Sequence, residues 1–200
     1  MIKNIVFDIG KVLVRFDWED YLASFQFPEE ETTAIAKAMF LSSNWNLVDE
    51  GRLSYEEIEQ IFVDSCPAYA DDIRLVFAHF GDCITRFPYT RHWISSLKQQ
   101  GYQVYYLSNY GDFTCQYTRK DLDFCDLMDG GVMSYEVKCL KPDPVIYQNL
   151  FEKYHLKPEE CVFIDDNAAN IDAAKKLWMK TILFQDYFQA QKQLNVLCNK

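Results

Sequence analysis

Short apolar runs rich in β-branched and aromatic residues recur at Ile5–Phe7, Val104–Leu107, Gly131–Met133, Cys161–Ile164 and Thr181–Phe184, and helical patterns separate the later ones. This alternation commits a chain to a parallel sheet, because parallel neighbours must be joined by right-handed crossovers that pack back onto the sheet. The crossovers are legible. Trp93, Ile94 and Leu97 form an apolar stripe that stops at Gly101, and Asp143-Pro144 supplies an N-cap and a first-turn proline ahead of Val145, Ile146, Leu150 and Phe151. With 200 residues, 49% of them hydrophobic, the chain can bury one ordinary core and carry a modest insertion. The expected fold class is α/β.

Between the first run and the second lie roughly 70 residues without a strand signal, too many for a bare loop inside a compact domain. They read as helices instead. Trp18, Tyr21, Leu22 and Phe25 follow the helical spacing, as do Ile73, Val76, Phe77 and Phe80, and Ser54-Tyr55-Glu56-Glu57 is a capping box ahead of Ile58, Ile61 and Phe62. Four helices are expected here. Residues 16–87 are read as an inserted helical subdomain, with 1–15 and 88–200 as the α/β core. The aromatic residues of the insertion serve its own core, and a remainder faces a ligand.

Charge narrows the partners. With 20 basic and 30 acidic residues the formal charge of −10 repels phosphate backbones and anionic membrane surfaces, so neither nucleic acid nor a membrane is an expected partner. No basic-then-apolar leader opens the sequence and no apolar run approaches the roughly 18 residues of a membrane span, so a cytoplasmic protein is expected. The seven cysteines are scattered without a C-x-x-C pair, which fits reduced thiols rather than a zinc site.

In parallel α/β sheets ligands bind beyond the carboxyl ends of the strands. The residues there are Asp8 after the first run, Ser108-Asn109 after the second, Lys141-Pro142 beyond the third, and Asp165-Asp166 with Asn170 after the fourth. Singly, each has an ordinary explanation as a turn former, a helix cap or a solvated charge. Together they do not, because carboxylates gathered at one sheet edge repel unless a cation compensates. Three carboxylates, a lysine and a hydroxyl–amide pair compose a site for a hard metal such as magnesium and for a phosphate. Trp45, Asn46, Glu50 and Arg52, in a loop-like stretch ahead of the Ser54 cap, are candidate substrate contacts.

Four motifs in order, "FDIGKVL", "LSNYGD", "KCLKPDPVIY" and "FIDDNAANI", resemble the haloacid dehalogenase-like hydrolase superfamily over nearly the whole chain. The helical-cap subgroup with sugar-phosphate phosphatases is most similar, in particular the α-D-glucose-1-phosphate phosphatase-like proteins, whose first motif also carries a glycine. The resemblance implies a Rossmann-like three-layer parallel sheet with an inserted four-helix cap. It implies Asp8 as a nucleophile forming an aspartyl-phosphate, with Mg2+ held by Asp8, Asp166 and the Gly10 carbonyl, and with Asp165 and Asn170 orienting those ligands. Ser108, Asn109 and Lys141 would bind the transferring phosphate, and Lys141 would also offset the charge on Asp8.

One position departs from the pattern. Most phosphatases of the superfamily place a second aspartate two residues after the nucleophile, to protonate the leaving group and deprotonate water. Here that residue is Gly10, and a positioned acid or base is typically worth about 10²–10⁴-fold in rate. Lys11, Asp17, Tyr110 and Asp112 are the nearby substitutes. The expectation is a magnesium-dependent phosphatase of small phosphorylated metabolites, sugar phosphates foremost. A non-catalytic phospho-ligand-binding protein is the alternative, and a 2-haloacid dehalogenase is disfavoured by the paired acids Asp165-Asp166.

Overall fold

The computed structural model describes residues 1–198. Strand β1 (Asn4–Phe7) leads into one tight turn, in which the Ile9 carbonyl accepts from the amides of Val12, Leu13 and Val14 at 3.3, 2.8 and 3.0 Å. Strand β2 (Val14–Phe16) follows and pairs antiparallel with β3 (Ile84–Arg86). Between these two strands lie helices α1 (Trp18–Ala23), α2 (Glu29–Ala38), α3 (Trp45–Glu50), α4 (Tyr55–Ser65) and α5 (Ala70–Ala78). After β3 the chain alternates: α6 (Thr90–Gln99), β4 (Gln103–Ser108), α7 (Asp112–Tyr117) and β5 (Gly130–Met133). It continues through α8 (Ser134–Val137), α9 (Pro144–Tyr154), β6 (Cys161–Asp165), α10 (Ala168–Lys176), β7 (Lys180–Leu183) and α11 (Tyr187–Leu197).

Five strands form one parallel sheet in the order β5-β4-β1-β6-β7, so β1 runs through the centre. Phe7 stands opposite Tyr106 on one side and Ile164 on the other, so Asp8, Ser108 and Asp165 emerge from the same edge. The side chains of β1 alternate between two cores, as the period of two requires. Ile5 and Phe7 join the helical insertion, Trp93 and Ile94 of α6 and Leu194 of α11, whereas Val6 joins Ile146 and Leu150 of α9 and Ile171 of α10. These are the two outer helical layers. Burying each large apolar side chain contributes about 1.5–3 kcal/mol, and Phe7, buried edge-on against Trp93 at 4.7 Å, belongs to that class.

Two features of the insertion differ from the sequence expectation. The short ribbon of β2 and β3 brackets it, and five α-helices replace the expected four. Strands of three residues are too short to display a period of two, and they gain their partners only from the far end of the insertion, where Phe87 N donates to Leu13 O at 3.1 Å and Asp17 N to Cys83 O at 2.9 Å. The additional helix is α3, whose six residues are too few to display a helical period and whose N-cap residue Asn44 forms no side-chain cap bond. By contrast, the Ser54–Glu57 box on α4 and the Asp143–Pro144 start of α9 form as expected, with Asp143 accepting from Val145 N. Among the described residues no helix is long and apolar enough to cross a membrane.

The insertion meets the strand ends at close range. A Cβ at Gly111 would fall 2.4 Å from the Val48 carbonyl oxygen of α3, whereas one at Gly10 would meet nothing within 4 Å. Gly111→Ala is therefore expected to destabilise the fold by about 1–3 kcal/mol, the usual penalty of overpacking. Gly10→Ala should shift stability by less than about 0.5 kcal/mol. Urea midpoints measure both, and equal shifts would contradict this packing.

Candidate active site

Asp8 is fixed in the central strand's line by its own amide, which donates to Ile164 O at 2.9 Å. Its carboxylate is engaged unevenly. Oδ1 accepts from Ile9 N at 2.7 Å and from Ser108 Oγ at 2.8 Å, and it pairs with Lys141 Nζ at 2.8 Å; none of these contacts falls on Oδ2. The Lys141 ammonium also reaches Asp165 Oδ2 at 2.7 Å, and its side chain is only 1% exposed. Asn109 holds this lysine by its main chain, accepting from Lys141 N at 2.7 Å and donating to Lys141 O at 3.1 Å. Asp165, fully buried, spends both oxygens on Lys141, Asn167 N and the Asn170 amide.

Burial works against the charge on these groups. It would lower the affinity of Lys141 for its proton, but Asp8 and Asp165 outweigh it and hold the ammonium above the ordinary lysine range. Burial pushes the Asp8 carboxyl up to about 7, an effect that Lys141 relieves in part and Asp165 reinforces. Burial and Asp165 likewise raise Asp166. Asp8, Asp165 and Asp166 offer carboxylate oxygens within 4.8 Å of one another. The donor set fits a hard divalent cation: Asp8 and the half-buried Asp166 line the adjoining cavity, and the fully buried Asp165 stands next to them.

That cavity measures about 520 Å³. The strand ends supply Asp8, Ser108, Lys141 and Asp166, and the opposite contribution comes from Phe16, Phe40 and Trp45. These three rings form one aromatic wall, with centroids 5.5 to 6.3 Å apart. The sequence profile of the haloacid dehalogenase-like hydrolases matches residues 2–177. This chain belongs to the haloacid dehalogenase-like hydrolases.

Individual members of the family agree along the chain. D-ribitol-5-phosphate phosphatase of Bacteroides thetaiotaomicron is 26% identical over 212 residues that span the full length of both proteins. Mouse bifunctional epoxide hydrolase 2 is 26% identical over 177 residues, covering 84% of this chain and 31% of that one. A haloacid dehalogenase-family enzyme of Bacteroides thetaiotaomicron, solved with magnesium and inorganic phosphate, shares the fold at a TM-score of 0.73 and 23% identity over 94% of this chain and 98% of that one.

On this hydrolase scaffold the cavity is lined by Asp8, Gly10, Ser108, Asn109, Lys141 and Asp166. Asn170 lines it too, and Asp165 lies buried behind them. Two expected contacts are arranged differently here. The Asn109 side chain clamps the Lys141 main chain, while the residue lines the cavity. Arg52 does not line the cavity at all. Gly51 takes a left-handed φ of 62° and ends α3, after which the Arg52 guanidinium turns to Glu50 and the Lys138 carbonyl. Trp45 and Asn46 do line the cavity, but from a helix rather than a loop.

Of the nearby substitutes for the missing acid, Lys11 lines the cavity, Asp17 and Asp112 lie outside its lining, and the Tyr110 hydroxyl is bonded to Thr118 Oγ1 at 2.8 Å. The sequence reading missed Asp49 and Thr114, which both line the cavity. Asp49 follows Trp45 by four residues, so a helix puts the two on one face; reading the stretch as a loop hid that signal.

Replacing Lys141 by methionine strands two buried carboxylates, and breaking such a set typically costs about 3–5 kcal/mol. A carboxyl raised by burial binds its proton more tightly folded than unfolded, so its contribution to stability falls as pH rises from about 4 towards 7. Lys141→Met should therefore be more damaging at pH 8 than at pH 5, in roughly the sense that linkage requires. Denaturation midpoints at the two pH values check this, and a variant as stable as wild type at the higher pH would contradict it.

Proposed function

We propose that this hydrolase is a magnesium-dependent phosphatase of small phosphorylated metabolites, with sugar phosphates as the main class, acting through an aspartyl-phosphate at Asp8. The observation that carries this reading is the uneven engagement of Asp8, a residue that lines the cavity: one oxygen is pinned by an amide, a hydroxyl and an ammonium, and none of these contacts falls on the other. A carboxylate held this way is aimed as a nucleophile. The ribitol-phosphate phosphatase relative, and the structural relative solved with magnesium and phosphate, support the same chemistry.

Asp8 Oδ2 attacks phosphorus while Ser108 Oγ, now bonded to Oδ1, can turn its donor to a phosphate oxygen. Lys141 offsets the growing negative charge between Asp8 and the phosphate, and Asn109 and Asp165 keep the ammonium in place. Asp8, Asp166 and the Gly10 carbonyl would hold magnesium, with Asp165 and Asn170 behind them; when bound, it supplies positive charge to the phosphate. Residues 16–87 act as a cap over the core of residues 1–15 and 88–200, excluding water and selecting the leaving group. The aromatic wall beside Ser42, Asn46 and Thr114 suits a polyhydroxylated body, whose C–H face lies on a ring while its hydroxyls meet polar groups. The net charge of −10 suits a cytoplasmic enzyme without nucleic-acid or membrane partners.

Gly10 favours one second reading, the binding of a phosphorylated ligand without turnover. Phosphate release from aryl, alkyl and sugar phosphates, with and without magnesium, separates the two. Turnover that requires magnesium and is abolished by Asp8→Asn with the fold intact is expected; binding without release would favour the second reading. Magnesium at about 100 times its dissociation constant should stabilise the protein by about 2.7 kcal/mol, and Asp166→Asn should remove most of that gain. A melting temperature indifferent to magnesium would contradict the metal site.

A further inference from the structure

We propose that Asp49, presented by α3, is the general acid and base that the first motif lacks at Gly10. The inference rests on the phosphatase reading above and adds to it the source of the proton. An alkoxide leaving group departs slowly unless it is protonated, so the chemistry proposed for Asp8 needs such a group within reach of the same phosphate.

Three observations select Asp49. Among the described residues that line the cavity, the carboxyl groups are Asp8, Asp49 and Asp166, and the other two are the nucleophile and a metal ligand in this reading. Asp49 is also held against the strand-end loop. Its carbonyl accepts from Ser134 Oγ at 2.5 Å, Ser134 Oγ in turn accepts from Tyr110 N at 2.9 Å, and the Gly111 backbone N–H donates to the Asp49 carboxylate. These contacts tie α3 to the segment that follows Ser108 and Asn109, so the carboxyl keeps its place on the wall of the cavity that Asp8 also lines. Third, Thr114 Oγ1 is a buried hydroxyl with no hydrogen-bond partner, on a residue 4% exposed, and it lines this cavity. It also lies 3.2 Å from where a Gly111 Cβ would stand, on the wall that Asp49 shares. A turn about χ1 brings this unpartnered hydroxyl into the cavity, where it can meet a ligand hydroxyl on the side of Asp49.

The state of Asp49 suits both halves of the reaction. Burial and the charge of Asp8 push its carboxyl up to about 7, with partial relief from Lys141 and the Gly111 amide, so protonated and ionised forms both exist near neutrality. In the first half, Asp8 Oδ2 bonds to phosphorus and the bond from phosphorus to the ester oxygen breaks. The electron pair goes to that oxygen, which takes the Asp49 proton and leaves as an alcohol. In the second half, water attacks the aspartyl-phosphate and gives its proton to the Asp49 carboxylate. The bond from phosphorus to Asp8 breaks, its electron pair returns to Asp8, and inorganic phosphate departs with Asp49 protonated again.

Transient kinetics on the full-length protein with magnesium test the assignment. With p-nitrophenyl phosphate, whose leaving group departs without a proton, Asp49→Asn should release a rapid stoichiometric burst of nitrophenol and then turn over slowly, because only the hydrolytic half has lost its base. With glycerol phosphate the same variant should lose turnover by about 10²–10⁴-fold and show no burst of glycerol. Asp49→Ser serves the same readouts if the Asn variant loses its helical circular dichroism. Wild-type rates on both esters, or equal losses on both without a nitrophenol burst, would overturn the assignment. Wild-type turnover abolished by Asp8→Asn keeps the phosphatase reading intact under either of those results, and a wild type inert towards both esters would overturn that reading itself.

Discussion

The buried ammonium of Lys141, held between Asp8 and Asp165, is the contact on which the rest of the site depends. Two carboxylates brought from neighbouring strands to one buried edge would expel each other or take up protons without it. An ion set of this kind is a poor way to stabilise a fold, since apolar residues of similar volume usually do better. Its presence at the end of a wholly buried central strand therefore marks chemistry rather than stability. The parallel sheet makes the contact possible, because the register of β1 with β6 sets Asp8 beside Asp165 and the register with β4 brings Ser108 to the same edge. The Asn109 clamp then fixes the lysine by its main chain, leaving the ammonium to the two acids.

The helical insertion completes what the sheet begins. Phe62, Phe77 and Phe80 are fully buried, with centroids 5.3 Å and 5.5 Å apart along the chain of contacts, and they form the insertion's own core. Phe16, Phe40 and Trp45 turn instead to the cavity. The insertion thus has an aromatic interior that keeps it rigid and an aromatic face that meets a ligand. The close approach of Val48 to Gly111 couples that face to the strand ends. In this arrangement a proton donor need not come from the turn after β1, since α3 is held against the segment that follows Ser108.

Much of this was legible in the sequence, for a physical reason. Asp8, Ser108, Asp165 and Asp166 each end or follow an apolar run and Lys141 lies beyond the third one, and a parallel sheet sends the ends of such runs to one edge. The capped starts of α4 and α9 were equally plain, since Ser54, Glu57, Asp143 and Pro144 declare themselves through local hydrogen bonding and a fixed φ. What escaped was whatever depended on contacts made far along the chain. Strands β2 and β3 exist only because they pair across the insertion, and the six residues of α3 are too few to show a helical period. Missing α3 put Arg52 in the expected site and left Asp49 out of it, although Trp45 and Asp49 stand four residues apart. The direction of the Asn109 side chain is likewise set by Lys141, which lies 32 residues away in the chain.

The central claim is that Asp8 receives the phosphoryl group. Acid quenching during turnover of an aryl phosphate with magnesium, followed by peptide mass spectrometry, tests it most directly. The account predicts a single acid-stable, base-labile phosphoryl adduct on the peptide containing Ile5–Val14, located at Asp8 after borohydride reduction. Steady turnover with no adduct at Asp8, or with the adduct on another residue, would contradict it.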